Sequence, residues 1–217
     1  MMDRKMVDYY SARAAEYERV YDKPERQADL AILREIVPQY FRGRRVLDVA
    51  CGTGYWTRLI AREAAVVTGC DLSGEVLALA YQRQPAAHPA RFLLSDAFDL
   101  GAVPGAFGSA FVGFFWSHIL RADVQRFLKG LHARLAGPAR VMIIDNRYVQ
   151  GSNSPITRVD DEGNTYQERR LENGSKHEVL KNFPSVDDVV AQIEAAGGHD
   201  VHMNELEHYW CATYAAS

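Results

Sequence analysis

The stretch "DVACGTGYW", residues 48–56, follows a short apolar run and indicates what kind of fold the chain adopts. Residues 44–50 are rich in apolar and β-branched side chains, which is typical of a buried strand. Gly52 and Gly54 then permit a tight turn and let a ligand approach the backbone closely. The helix expected after the turn presents free N–H groups and a positive dipole end to an anion. The sequence therefore predicts a ligand site at the end of the first strand.

Strand patterns and helix patterns alternate along most of the chain. Strands are expected at residues 44–50, 66–72, 90–94, 110–116, 140–145, 201–207 and 209–214. Helices are expected at residues 11–20, 25–37, 56–65, 75–82, 123–135 and 185–196, with Ser73 capping the fourth and Pro38 ending the second. This alternation predicts an α/β, doubly wound, mostly parallel sheet with helices on both faces.

One segment interrupts the alternation. Residues 146–183 show no helix pattern, and "TYQERRLENGSKHEVL", residues 165–180, is typical of two polar strands around the Asn173-Gly174 turn. We therefore expect a β-hairpin insertion at residues 147–183, after the fifth strand. The hairpin is expected to cap the substrate site at the carboxyl ends of the strands or to form a homodimer contact. No linker divides the chain, so residues 1–217 are expected to form a single domain.

Composition excludes several classes of protein. The formal net charge is −3 and the pI is about 6.2, so no nucleic-acid partner is expected. No apolar run reaches the length of a membrane span, and no membrane partner is expected. Three widely spaced cysteines are typical of free thiols in a reducing compartment, which favours a cytoplasmic location. His199 and His202 lack a third ligand nearby, so no metal site is expected.

Carboxylates follow three successive strands of the predicted sheet. Asp48 closes the first strand, Asp71 the second and Asp96 the third. Asp71 comes about twenty positions after Gly52, the separation that an acidic residue needs to reach a ribose diol. Asp96 is suited to accept a hydrogen bond from an exocyclic amine such as that of adenine. The three acidic residues together favour a nucleoside ligand that carries a positive charge.

The same turn argues against a dinucleotide. A dinucleotide fingerprint has a third small residue at the position of Thr57, and here the bulky pair Tyr55-Trp56 precedes it. Asp48 would also place a negative charge near a pyrophosphate. A nicotinamide-dependent oxidoreductase therefore stays an alternative with less support.

The segments that follow one another from the first strand to the fifth resemble the class I S-adenosylmethionine-dependent methyltransferases. The matching pieces are "VLDVACGTGYWTRLIA", "VVTGCDLSGEVLALA", "LLSDAFDL", "AFVGFFWSHIL" and "GPARVMIIDN", which cover roughly residues 44–146. The resemblance implies a Rossmann-like, seven-stranded sheet with a reversed last strand. It also implies an N-terminal helical lid, at residues 1–40, over the cofactor S-adenosyl-L-methionine. Ala50 departs from the glycine that many members carry.

By position, the resemblance assigns roles to individual residues. Gly52 and Gly54 would flank the methionine part, Asp71 would bind the ribose hydroxyls, and Leu72 would pack on adenine. The residues expected at the cofactor are Tyr17, Asp48, Ala50, Cys51, Gly52, Gly54, Asp71, Leu72, Asp96, Ala97 and Trp116. Tyr10, Ser117 and Tyr148 are expected at a small-molecule acceptor.

His118 is the titratable group nearest the expected point of methyl transfer. We predict that it removes a proton from the acceptor or positions it, for O- or N-methylation by in-line transfer; a packing role is the alternative. A non-catalytic S-adenosylmethionine-binding accessory protein also stays open, because most of the motifs serve binding. A nucleic-acid methyltransferase has less support, since "FFWSH" lacks the (Asp/Asn)-Pro-Pro-(Tyr/Phe) signature.

Overall fold

A computed structural model describes residues 14–171 and 174–216, with side chains from residue 18 onward. Within these residues the ten strands, in chain order, are β1 Arg45–Val49, β2 Val66–Asp71, β3 Arg91–Leu94, β4 Phe107–Gly113, β5 Leu135–Asn146, β6 Arg158–Val159, β7 Thr165–Arg170, β8 Lys176–Leu180, β9 Gly198–Glu205 and β10 Tyr209–Ala216. The five α-helices described are α1 Gln27–Tyr40, α2 Tyr55–Ile60, α3 Gly74–Arg83, α4 Val124–His132 and α5 Val186–Ala195. Short 3₁₀ helices cover Ala14–Tyr21, Pro24–Arg26, Leu100–Ala102, Trp116–His118 and Arg121–Asp123.

Seven of the described strands form one sheet, in the order β3-β2-β1-β4-β5-β10-β9. The pairs among β1 to β5 are all parallel, whereas β10 runs antiparallel to both β5 and β9. The predicted Rossmann-like α/β sheet with a reversed last strand is confirmed. The chain order reverses direction at β1, and ligands of such sheets bind beside this point, at the carboxyl ends of the strands.

Helices cover both faces of this sheet because successive strand residues point to opposite sides. Val46 packs with helix α1 on one face, where Leu30 and Leu33 are fully buried. Leu47, the next residue, packs with the opposite cluster, to which helices α4 and α5 contribute. The two apolar clusters hold the strand ends at fixed positions, which a preorganised site requires.

Several predicted boundaries differ from the structure. Helix α1 continues through Pro38 to Tyr40, because a proline in the last turn removes only one helical hydrogen bond. Strand β4 ends at Gly113 and not at residue 116, since Phe114 adopts the left-handed region at φ 61°. Strand β5 begins at Leu135, a residue expected to end the preceding helix.

The insertion after β5 contains the predicted antiparallel pair. Strand β7 pairs with β8 from Tyr166 opposite Leu180 to Arg170 opposite Lys176. Asn173 of the expected turn lies outside the described residues, while Gly174 has φ 84°. A short third strand, β6, pairs with β7, so the insertion is a three-stranded sheet and not a simple hairpin.

Candidate active site

The glycine turn and the end of β2 are joined by hydrogen bonds. The Gly52 N–H donates to Asp71 Oδ2 (2.9 Å), and the Ser73 N–H donates to Asp71 Oδ1 (3.0 Å). Gly52 and Gly54 have φ of 55° and 74°, which glycine adopts at little cost. Burial raises the pKa of Asp71, and the backbone N–H groups around it oppose that rise. The carboxylate predicted to bind a ribose is therefore held rigidly beside the turn.

Asp48 and Cys51 lie beneath the turn. Asp48 is 1% exposed and accepts a hydrogen bond from Thr57 Oγ1 (2.5 Å), which ties the end of β1 to helix α2. Burial raises the pKa of Asp48 to about 7. The Cys51 N–H donates to the Cys70 carbonyl, and burial raises the pKa of the Cys51 thiol well above its usual value. The predicted contacts of both residues with a cofactor stay predictions.

The residues expected at adenine come together at the ends of β2 and β3, where Asp71 pairs with Leu94. Leu72 is half-buried and follows β2 directly. Asp96 Oδ1 accepts the Phe98 N–H (2.9 Å), and Ala97 is buried beside it. Leu72, Asp96 and Ala97 thus follow the ends of two adjacent strands, and their contacts with adenine stay predictions.

The N-terminal segment contacts the glycine turn. Glu18 accepts hydrogen bonds from Thr53 Oγ1 (2.8 Å) and Arg83 Nη1 (2.8 Å). The Tyr21 ring stacks on Tyr55, with centroids 4.0 Å apart. The 3₁₀ helix Ala14–Tyr21 therefore lies against the turn, where a lid is expected. Tyr10 and the side chain of Tyr17 lie outside the described residues.

The aromatic residues after β4 separate to two sides of the sheet. Phe114 lies near Tyr21 and Tyr209, with ring centroids 5.8 and 5.4 Å away. Trp116 is 3% exposed and packs edge-on against Trp210 (5.9 Å) in the core. This position does not support the predicted contact of Trp116 with the cofactor, which stays a prediction. The left-handed backbone conformation of Phe114 directs Phe114 and Trp116 to different sides of the sheet. The periodicity of the sequence does not predict such a conformation.

A buried polar cluster joins β4, β5 and the insertion. Asp145 accepts hydrogen bonds from the Ser117 N–H (2.8 Å) and from the Ser117 hydroxyl (2.9 Å). Lys181 Nζ donates to Ser117 Oγ (2.6 Å) and lies 3.3 Å from Asp145 Oδ1. Burial lowers the pKa of Lys181 to about 8, against the influence of Asp145. Burial by itself raises the pKa of Asp145, but the Lys181 ammonium holds that pKa below its usual value. Ser117, an expected acceptor contact, is fully buried within this cluster. Sequence patterns alone did not identify Lys181.

His118 lies next to the cluster, and its Nδ1 is 2.7 Å from the carbonyl oxygen of Leu180. A carbonyl oxygen only accepts, so Nδ1 carries the proton and Nε2 has the lone pair of the neutral ring. Burial lowers the pKa of His118 well below 6.5, and the positive charge of Lys181 lowers it further. The ring is therefore neutral near pH 7, as a general base requires.

A cavity of about 290 Å³ lies between the N-terminal segment, the end of β4 and the insertion. The wall includes the neighbouring aromatic residues Tyr21, Phe114 and Tyr209, together with His118 and several basic residues. Tyr148 is not part of the cavity wall given by the described residues. It is 43% exposed and packs against Phe183 (5.2 Å), so its predicted acceptor contact stays a prediction.

In the part of the chain that the structure describes, no group of three His, Cys, Asp or Glu side chains is placed to hold a metal ion. None of the helices described combines the length and the apolar character that crossing a membrane requires.

Residues 46–137, from β1 to the start of β5, match the family model described as a methyltransferase domain. This match identifies a methyltransferase domain within residues 46–137. The family predicted from the motifs is thereby confirmed, and S-adenosylmethionine is the cofactor of that family.

Solved structures agree with this fold over nearly the whole chain. DhpI in complex with SAH superposes with a TM-score of 0.77 at 24% identity, over 98% of this chain and 96% of that one. The glycopeptide N-methyltransferase MtfA superposes with a TM-score of 0.65 at 16% identity, over 86% and 90%. At these identities the likeness establishes the fold alone.

Curated relatives match over shorter stretches. The 2-phytyl-1,4-naphtoquinone methyltransferase of Thermosynechococcus vestitus is 30% identical over 51% of this chain and 50% of its own length. O-methyltransferase rstn1 of Aspergillus nomiae is 31% identical over 42% and 45%. The chain spans half or less of the length of these relatives.

Proposed function

We propose that the chain transfers the methyl group of S-adenosylmethionine to an oxygen or nitrogen atom of a small molecule. The observation that carries the proposal is the Asp71 carboxylate, held by Gly52 and Ser73 beside the glycine turn. Each carboxylate oxygen has more than one lone pair, so both can accept from a ribose diol as well. The donor set therefore fits the cofactor, with Leu72, Asp96 and Ala97 at the adenine end.

The cofactor supplies an activated methyl group on a sulfonium, so the residues of this chain need only bind, align and exclude water. Tyr21, Phe114 and Tyr209 form an aromatic wall that limits water beside the point of transfer. His118 Nε2 takes a proton from an acceptor hydroxyl as the methyl group is transferred, or from an acceptor ammonium before the amine nitrogen attacks with the freed lone pair. The Leu180 carbonyl keeps the ring in the required tautomer.

The small size of the acceptor is proposed from the cavity volume, about 290 Å³, and from the names of the relatives, among them a naphtoquinone methyltransferase. Strand β7 contributes Gln167 and Arg169 to the cavity wall. This favours a role for the insertion, residues 147–183, as a cap on the acceptor site over a homodimer contact. The N-terminal segment, residues 1–40, is proposed to close the cofactor side within a single domain, residues 1–217.

A reducing, cytoplasmic location is proposed because Cys51, Cys70 and Cys211, all within the described residues, are free thiols. Nucleic acid is not proposed as an acceptor, since the overall charge is negative.

Calorimetry with S-adenosylhomocysteine, with and without chelator, tests donor binding. Incubation with methyl-labelled donor and fractionated metabolites tests turnover. Equal affinity in both buffers together with labelled product supports the proposal. Binding of a nicotinamide dinucleotide in place of the nucleoside would contradict it, and donor binding without labelled product from any fraction would favour the accessory-protein alternative.

A further inference from the structure

Among the described residues, the cavity beside His118 is lined by more basic than acidic side chains. Its wall includes Lys23, Arg26, Arg169, Arg170 and Lys181, with Glu168 as the acidic member. Three acidic groups offset part of this charge. Asp145 pairs with Lys181 (3.3 Å), Glu25 lies 3.8 Å from Lys23, and Glu168 pairs with Lys176 (2.8 Å) at the surface. None of these three ion pairs involves Arg26.

Arg26 is the most deeply buried of these arginines, at 2% exposure. Within the described residues its hydrogen bonds go to neutral oxygens: Ser152 Oγ (2.9 Å), Asn146 Oδ1 (3.0 Å) and the Ser152 carbonyl (3.3 Å). Glu25 also bonds to Ser152 Oγ (2.8 Å), but it is solvent-exposed, so water screens its charge. A buried guanidinium is costly unless a negative group compensates it.

The basic groups are close enough to act on one another. Burial and then the charges of Arg169 and Arg26 lower the pKa of Lys181, although Asp145 opposes this. Burial, Lys181 and Arg169 likewise lower the pKa of His118. An anion in the cavity would relieve this repulsion. A neutral ligand would leave it in place.

We infer that the methyl acceptor carries an anionic oxygen group, such as a carboxylate or a phosphate-type group, which Arg26 binds together with Arg169. This inference rests on the proposed function, because it names the acceptor class for the same cavity. The remainder of the acceptor then lies against Phe114 and Tyr209, with its reacting atom toward His118. Arginine suits this role because its planar fork binds two oxygens at once.

The test needs no methyl donor. Inorganic phosphate and acetate are titrated into the full chain by calorimetry, at an ionic strength held constant with sodium chloride. At least one of the two anions is expected to bind. Arg26→Gln is expected to weaken that binding by about tenfold or more, the usual cost of a lost charge-assisted hydrogen bond. Arg42→Gln is the matched control, since Arg42 is 67% exposed and pairs with Glu63 away from the cavity.

Arg169→Gln and Arg26→Lys provide second variants if Arg26→Gln does not fold. Arg169→Gln is expected to weaken binding of the same anion. Arg26→Lys is expected to retain part of the affinity for it. A preference for phosphate indicates a tetrahedral dianionic group, and a preference for acetate a carboxylate. The inference is overturned if neither anion binds the wild-type chain, or if the cavity variants bind as tightly as Arg42→Gln.

Failure of the two proposals is distinguishable. If S-adenosylhomocysteine binds and neither anion binds, the proposed methyl transfer is supported and the anionic acceptor is contradicted. If an anion binds and S-adenosylhomocysteine does not, the basic cavity is supported as an anion site and the proposed methyl transfer is contradicted.

Discussion

His118 Nδ1 lies 2.7 Å from the carbonyl oxygen of Leu180, so a ring that follows β4 is oriented by a strand of the insertion. This contact joins the part of the chain that matches the methyltransferase family to a segment beyond it. It fixes which ring nitrogen carries the proton. The insertion therefore orients His118 and also lines the cavity beside it.

His118→Ala is expected to lower turnover by ~10²–10⁴-fold, the usual contribution of a positioned base. Affinity for S-adenosylhomocysteine should stay unchanged, and His118→Gln should recover part of the loss if positioning dominates. Because the folded pKa lies well below 6.5, the neutral ring persists through neutral pH, and the rate should fall only in more acidic buffer. A pH–rate profile checks this. Loss of folding in His118→Ala would assign the ring a structural role.

Asp71→Ala is expected to weaken binding of S-adenosylhomocysteine by about 1–3 kcal/mol, the cost of a lost charged hydrogen-bonding partner. The exposed residue Asp161, between β6 and β7 of the insertion, supplies a control variant, Asp161→Ala, with the same change of side chain. Calorimetry on both variants provides the measurement. Equal affinities in the two variants would remove Asp71 from the cofactor site.

Ala50→Gly is expected to leave stability unchanged or raise it by up to about 1.6 kcal/mol. Ala50 has φ 55°, where a side chain costs about 1–2 kcal/mol, while the added freedom of glycine in the unfolded chain costs ~0.4–1 kcal/mol. Ala78→Gly, in an exposed position of helix α3, should lose about 1 kcal/mol instead. Urea unfolding compares the two. A larger loss in Ala50→Gly would show that the methyl group contributes packing.

Asp48 should make stability depend on pH. Its folded pKa is raised from 3.8 to about 7, so between these values the folded protein retains a proton that the unfolded chain has released. Its contribution to stability therefore falls as the pH rises from about 4 to 7. Asp48→Asn removes the titrating group, and the asparagine amide oxygen can still accept the hydrogen bond from Thr57. Thermal unfolding across this range should show a flatter profile in the variant, and parallel profiles would refute the assignment.

The sequence by itself determined the order of strands and helices, the glycine turn and the acidic residues Asp71 and Asp96 that follow β2 and β3. These features are local: periodicity, turn glycines and the position of a residue at a strand end are all legible within a short window. Only the tertiary structure decided the other half of the site. It placed Lys181 beside Asp145, buried Arg26 among neutral oxygens and turned Phe114, but not Trp116, toward the cavity. Such contacts join residues far apart in the chain, and burial, which sets the cost of their charges, arises only when the elements pack together.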